Sequence, residues 1–195
     1  MATAEQRDFI SVEDYLSGEL QSPSKHEYVA GVVYAMSGGN YAHNLIASNI
    51  LIALGSRLRG KRCRALNSDS KVRILFPTHT RFYYPDASVV CPPNQPDGAF
   101  QDAPAIVVEV LSKATRRIDQ GEKKDAYLAL PSLAVYLLVE QDVKKITVYR
   151  RRSNGFDREV HSGPEAIVPL AEIEAELPLA EVYEAVELTP EPEDE

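Results

Sequence analysis

No run of apolar residues approaches the roughly 18–20 needed to cross a bilayer, so no segment reads as a membrane helix. The first residues, MATAEQRDFISVEDY, lack a basic segment followed by an apolar core, and no secretory signal is expected. Cysteine is scarce, with Cys63 and Cys91 the whole complement. Two cysteines are too few for a disulfide framework and lack the paired spacing of a zinc site. Without an export signal, they are expected to stay free thiols in a reducing cytoplasm. The sequence contains no GxxxxGKS/T phosphate loop, no GxSxG elbow, no HExxH pair and no CxxC. It shows no internal repeat, and Gly38-Gly39 is too short to be a nucleotide loop.

What is present is an ordinary globular composition, 44% hydrophobic and 26% charged over 195 residues. One domain is expected over 1–186, followed by an acidic tail at 187–195. The formal net charge of −8, taken alone, argues against a phosphate-bearing partner. That charge is unevenly spread. Glu187, Glu191, Glu193, Asp194 and Glu195 sit in the tail with no Lys or Arg, and without these five the total would be −3. Only Leu188 among the tail residues is large and apolar, so the tail is expected to be disordered. Two basic groups stand against the acidic average. The first is Arg57, Arg59, Lys61, Arg62, Arg64, Lys71 and Arg73. The second is Lys144, Lys145, Arg150, Arg151 and Arg152.

Ser11 followed by Asp14 reads as the cap of a short helix ended by Gly18. His26 to Met36 reads as a β-hairpin turning at Ala30-Gly31. From Tyr41 to Leu58, capped by Asn40, apolar residues recur every three or four positions, and His43 lies on the same stripe. Strands are expected at Cys63–Leu66, Lys71–Leu75 and Phe82–Val90, and a Pro-rich loop at Cys91–Pro104. The run AIVVEVL at Ala105–Leu111 has the pattern of a buried central strand. A helix is expected from Asp119 to Leu130, then strands at Val135–Val139 and Ile146–Tyr149 and a short helix near Leu179–Val186. Strands interleaved with helices indicate an α/β or α+β mixed sheet with helices on its faces.

Glu109 is the sharpest anomaly, a carboxylate in a strand that should be buried. Such a group costs several kcal/mol unless a cation, metal or donor compensates it. An arginine partner or an exposed sheet edge would serve equally well at this stage. Asp86, after Tyr84-Pro85, stands where a strand starts or bends, as a turn acid does. If the two strands are adjacent, Asp86 and Glu109 can offer oxygen ligands to a hard divalent cation. Asp119, Lys123 and Tyr127 are spaced i, i+4, i+8, so Lys123 either forms a helical ion pair or reaches over the sheet. His43, Glu27 and Asp69 read on pattern alone as a core histidine, a surface acid and a local counter-charge.

Taken in order, these residues resemble the PD-(D/E)XK superfamily, the restriction-endonuclease-like fold. Within it they resemble one bacterial branch, the Uma family of candidate endonucleases, first described as a domain of unknown function. The likeness covers about residues 10–150. It rests on Glu27–Gly38 with His43, on Tyr84-Pro85-Asp86 and on Ile106 to Ser112. It continues through Thr115 to Tyr127 and on through Pro131-Ser132 to Val139. The superfamily's lysine belongs two residues after the acid, where this chain has Leu111. In this branch the lysine comes from the next helix, which matches Lys123, with Lys124 the alternative.

The resemblance implies metal-dependent phosphodiester hydrolysis, most plainly of DNA. Asp86, Glu109 and the Val110 carbonyl would be ligands of Mg2+ or Mn2+. Lys123 would act on the attacking water or the developing charge, Glu27 would be a further acid, and His43 a donor to phosphate. The basic groups would hold the nucleic-acid backbone. A homodimer in the cytoplasm is expected. The alternative is a nuclease fold retained as a nucleic-acid or protein binding module without catalysis.

Overall fold

The computed structural model describes residues 9–93 and 98–188. A six-stranded sheet organises the molecule in the order β10-β9-β8-β7-β6-β3. These strands are β3 (Arg64–Asn67), β6 (Ala87–Val90), β7 (Pro104–Leu111), β8 (Val135–Glu140), β9 (Lys145–Arg152) and β10 (Gly155–Ser162). All pairs are antiparallel except β7 with β8. That parallel pair requires a crossover, supplied by the helical segment between them. The architecture is thus a mixed α/β sheet flanked by helices. β7 and β8 are inner strands, buried along nearly their whole length.

One face of this sheet is closed by α2 (Tyr41–Arg57), by α5 (Leu179–Val182) and by the hairpin of β11 (Ile167–Leu170) and β12 (Ala175–Pro178). α2 forms where its periodicity predicts. The Asn40 side chain accepts the His43 backbone N–H at 2.8 Å, and Ile46, Ile50, Ala53 and Leu54 are buried. Leu188 packs against this core, so the folded body runs beyond 186. The rest of the acidic tail, from 189, lies outside the described residues.

A second, four-stranded sheet has the order β2-β1-β5-β4. It contains β1 (His26–Val29), β2 (Val32–Ala35), β4 (Val72–Leu75) and β5 (Thr80–Tyr83). The hairpin turn falls at Ala30-Gly31, both with positive φ (50° and 96°), as a type I′ turn demands. A side chain at Gly31 would also strike the Phe9 ring. Helix α1 (Val12–Glu19), capped by Ser11, runs through Gly18 instead of ending there. Its Tyr15 packs on Tyr28 and Phe82.

Four further sequence expectations need correction. The single strand expected at Phe82–Val90 is two strands in different sheets. The chain leaves β5, bends through Tyr84-Pro85-Asp86, and enters β6. The helix expected at Asp119–Leu130 starts earlier and is not uniform: α3 (Arg116–Ile118), a π-helical turn (Asp119–Lys123) and α4 (Lys124–Leu128) follow one another. The expected free thiols are joined as a Cys63–Cys91 disulfide. β3 and β6 are antiparallel with Arg64 opposite Val90, so the next residues outward, Cys63 and Cys91, face each other across the ladder.

The basic groups, finally, are in part engaged by the fold itself, while Arg59, Arg62, Arg64 and Arg152 are exposed. Arg150 binds Glu159 and Glu172 at 2.8 and 2.5 Å. Arg151 donates to the Leu130 and Leu133 carbonyls. Arg57 is bidentate on Glu181, Arg73 on Asp102. Lys71 is buried over the Tyr15 and Tyr84 rings.

Candidate active site

The two sheets meet around a cleft of about 600 Å3, lined among others by Gly39, His43, Asp86, Glu109, Asp119 and Lys123. Its geometry starts from strand register. Ala87 pairs with Val108 in the antiparallel β6–β7 ladder, so Asp86 and Glu109 are the next pair along. The Val110 N–H donates to Asp86 Oδ2 at 2.7 Å, which fixes the acid against the strand. Pro85, with no N–H to offer a ladder, marks the point where the chain changes sheets.

Glu109 is 3% exposed. β7 is an inner strand, which removes the reading of Glu109 as a sheet-edge residue. The cation beside it is a lysine, not an arginine: Lys123 Nζ lies 3.7 Å from Glu109 Oε1. The Tyr127 hydroxyl donates to the same oxygen at 3.3 Å. Burial pushes the Glu109 carboxyl well above its usual range. Lys123 opposes this, while Asp119, Asp86 and Glu27 add to it.

Lys123 is shared among three acids. Glu27 Oε1 is nearest at 2.7 Å, then Asp119 Oδ1 at 3.5 Å and Glu109. Burial works against the ammonium form, but Glu109, Glu27 and Asp119 outweigh it and hold its pKa above the usual lysine value. Glu27 reaches Lys123 because side chains alternate along β1: Tyr28 faces the aromatic cluster and Glu27 the opposite way. The Tyr84 backbone also donates to Glu27. Lys124 points elsewhere, to Asp125 and over the Tyr149 ring.

His43 comes from the first turn of α2, with Nε2 3.3 Å from Asp86 Oδ2. Burial disfavours its imidazolium, yet the Asp86 contact outweighs burial and raises its pKa. The ring lies so close to Gly39 that a Cβ there would stand 2.4 Å from Nδ1, which explains the glycine. Asp69 pairs with Lys25 at 2.6 Å, as a counter-charge should.

The residue that pattern reading left without a role is Asp119. It is 2% exposed, lines the cleft, and sits in the π-helical turn. Its spacing of four from Lys123 was the available signal, and an ion pair between exposed residues would give the same one.

A family model described as "Putative restriction endonuclease" (Uma2) matches residues 12–180. The chain belongs to this family. Two Synechocystis proteins are similar to this Uma2 member. "Uncharacterized protein slr1290" is 37% identical over 148 residues, covering 75% of this chain and 76% of that one. "Uncharacterized protein sll1609" is 25% identical over 145 residues, covering 73% and 81%. A crystal structure described as a putative nuclease belonging to DUF820, from Anabaena variabilis, superposes with a TM-score of 0.67. It covers 87% of this chain and 97% of its own at 22% identity, a likeness that establishes the fold alone. No helix among the described residues is long and apolar enough to cross a membrane.

Proposed function

We propose that this Uma2 member is a divalent-cation-dependent nuclease that hydrolyses DNA phosphodiesters. The observation that carries the reading is the juxtaposition of Asp86 and Glu109 on adjacent strands at the cleft, with Lys123 beside them. The donor set suits a hard cation: oxygen ligands and an excess of acids in a recessed site. Among the described residues no three His, Cys, Asp or Glu side chains converge as a ready-made cage. Mg2+ does not need one, since it is held by one or two carboxylates and keeps several waters.

Asp86, Glu109 and the Val110 carbonyl would hold Mg2+ or Mn2+. When bound, the cation supplies Lewis acidity, lowering the pKa of water and neutralising charge on the phosphoryl group. Lys123, anchored on Glu27, donates to the attacking water or to a phosphate oxygen. His43 donates from Nε2 to a second phosphate oxygen once it turns from Asp86. The fold supplies little long-range attraction for a polyanion, because the chain is acidic and most arginines are paired internally. Binding therefore depends chiefly on the cation.

Purified protein incubated with plasmid and linear DNA in Mg2+ or Mn2+ tests the reading. Cleavage should vanish in Asp86→Ala and in Glu109→Ala, and activity that survives both would sink it. The second reading, a binding module without catalysis, is favoured by the ammonium of Lys123 standing among the acids and by Leu111 at the superfamily's lysine position. Calorimetry with Mn2+ separates the two: no binding at millimolar metal supports the binding module. The expected homodimer is checked by light scattering at micromolar concentration, where a lone monomer would remove it.

A further inference from the structure

In much of the fold an arginine is met by a carboxylate: Arg57 by Glu181, Arg73 by Asp102 and Arg150 by Glu159, at 2.6, 2.7 and 2.8 Å. The segment from 59 to 64 departs from this. It holds Arg59, Lys61, Arg62 and Arg64 and no acid. Arg62 donates to the Pro92 carbonyl, and Arg64 to the Lys61 and Cys63 carbonyls. Lys61 takes the backbone carbonyl of Glu174, not its carboxylate. Arg59 has no side-chain partner among the described residues, and Arg59, Arg62 and Arg64 are all exposed. A chain with 29 acids against 21 Lys and Arg does not leave these cations unanswered for want of carboxylates.

Between the end of α2 and β3 lies an open groove of about 320 Å3, walled by Arg59 and Arg64 with Gly55, Leu58, Gly60 and Ala65. Gly60 has a φ of 78°, so its backbone alone accounts for the glycine. Gly55 has no such reason. It lies within α2, where glycine weakens a helix, and nothing stands within 4 Å of a side chain placed there. What its missing side chain does is keep the groove open. β3 joins this groove to the cleft, and it is the outermost strand of its sheet. Asn67 pairs with Ala87, next to Asp86, and Ser68 lines the cleft. Arg64 is three residues back from Asn67, about 10 Å along the strand. A duplex strand advances about 3.4 Å of axis per phosphate, so that span corresponds to about three phosphates.

We infer that the groove between α2 and β3 seats a backbone phosphate of the DNA substrate, away from the scissile bond, held by Arg59 and Arg64. Lys61 and Arg62 add charge beside it. The planar fork of donors on each arginine matches a phosphate group, which a lysine meets only as a point charge. The acidic total of the chain limits attraction at a distance, whereas this groove acts on contact. The inference rests on the nuclease reading for its choice of polymer, and the groove is a site apart from the cleft.

The test is fluorescence anisotropy of the full chain with a labelled duplex of about 20 base pairs, in EDTA and at low salt, where electrostatic contacts are strongest. Without divalent metal no cleavage intervenes, and the binding that remains is what the groove supplies. Arg59→Ala with Arg64→Ala should weaken it at least about fivefold and flatten the slope of log affinity against log salt by about 1–2. Gly55→Gln changes no charge but fills the groove, and should weaken binding at least about threefold while melting no lower than wild type. Arg152→Ala removes an exposed cation that is bound to Asp157 and Glu159, and should stay within about twofold. A double variant that binds like wild type overturns the inference. So do equal losses in Arg152→Ala, since any cation would then serve, and a Gly55→Gln variant that binds fully. Wild-type protein that ignores the duplex, whether or not it sediments with phosphatidylserine vesicles, overturns it too. Should the double variant not fold, Arg59→Gln and Arg64→Gln decide singly, each flattening the slope by about 1. Hydrolysis of bis(p-nitrophenyl) phosphate in Mn2+, a diester too small to span cleft and groove, should be unchanged in these variants. Wild-type protein that binds duplex through the groove yet hydrolyses no diester removes the nuclease reading and leaves the groove standing.

Discussion

Along β7, Ile106, Val108 and Val110 face α2 and the C-terminal hairpin, while Val107, Glu109 and Leu111 face Tyr127 and Tyr136. The first face packs against apolar partners, among them Leu137 and Val139 from β8 and Ile50 and Leu54 from α2. The second is apolar at either end but carries a carboxylate in the middle, surrounded by further acids and one lysine. One strand thus serves two purposes. Burial of one side fixes the sheet, and that rigidity holds Glu109 where solvation would otherwise pull it out. Stability and chemistry should therefore separate cleanly when the two faces are altered.

The largest expected effect is on activity. Glu109→Gln should lower DNA cleavage by about a thousandfold or more, the scale of several kcal/mol of lost Lewis-acid assistance. It should melt no lower than wild type in the absence of divalent metal, because it removes one charge from a set with too many acids, and Lys123 keeps Glu27 and Asp119. A large drop in melting temperature would mean that the second face, too, is built for stability. Leu137→Ala on the first face should do the reverse. This side chain is fully buried, and truncation should cost about 2–5 kcal/mol. In thermal melts that corresponds to a fall of roughly 4–20 °C. Cleavage per folded molecule should stay within a few-fold at temperatures well below the transition.

The contrast also shows which parts of the molecule were legible in sequence. α2 and β7 could be read because their periodicity reflects one local rule, burial on a stripe or on both faces. Asp86 and Glu109 stood out because each breaks such a rule, a carboxylate inside an apolar run and an acid after proline at a strand bend. The Cys63–Cys91 bridge could not be read, since it follows from β3 lying beside β6, a pairing across a sequence separation of 28. Nor could β10, whose charged, half-exposed residues suit an edge strand and carry little hydrophobic signal. Asp119 was hidden for a different reason. An acid four residues before a lysine looks the same whether the pair is solvated or buried, and only the tertiary fold, which buries both, decides. The second basic group was misjudged in the same way, because Arg150 and Arg151 looked like surface charge and are internal ties.

A smaller effect is expected where the first face is closed by charge instead of hydrocarbon. Arg57 in α2 grips Glu181 in α5 through two hydrogen bonds of 2.7 and 2.6 Å. Those bonds hold the Glu181 carboxyl below its usual range, despite some burial. A depressed carboxylate contributes stability above its unfolded pKa of about 4.3 and loses that contribution as pH falls through the lower folded value. The pair is partly exposed, so it should be worth no more than about 1 kcal/mol. Glu181→Gln should therefore melt slightly lower than wild type at pH 7, and the two curves should converge as pH falls below about 4. A gap that persists unchanged into acid would show that packing, not the ion pair, holds α5 in place.

The smallest expected effect tests whether the second face is specific at the level of one residue. Lys123 and Lys124 are adjacent cations in the crossover, yet their side chains part. The first enters the acid cluster, and the second lies over Tyr149 beside Asp125. Lys124→Ala should leave cleavage within about twofold of wild type, because a surface ion pair and an exposed cation–π contact each contribute under about 1 kcal/mol to the fold. Lys123→Ala, by contrast, removes the ammonium shared by Glu27, Asp119 and Glu109, and cleavage should fall with it. Equal losses in the two variants, measured as initial rates on the same plasmid at the same salt, would mean that the lysines act through the field they add to the cleft. The direction in which Lys123 points would then not matter.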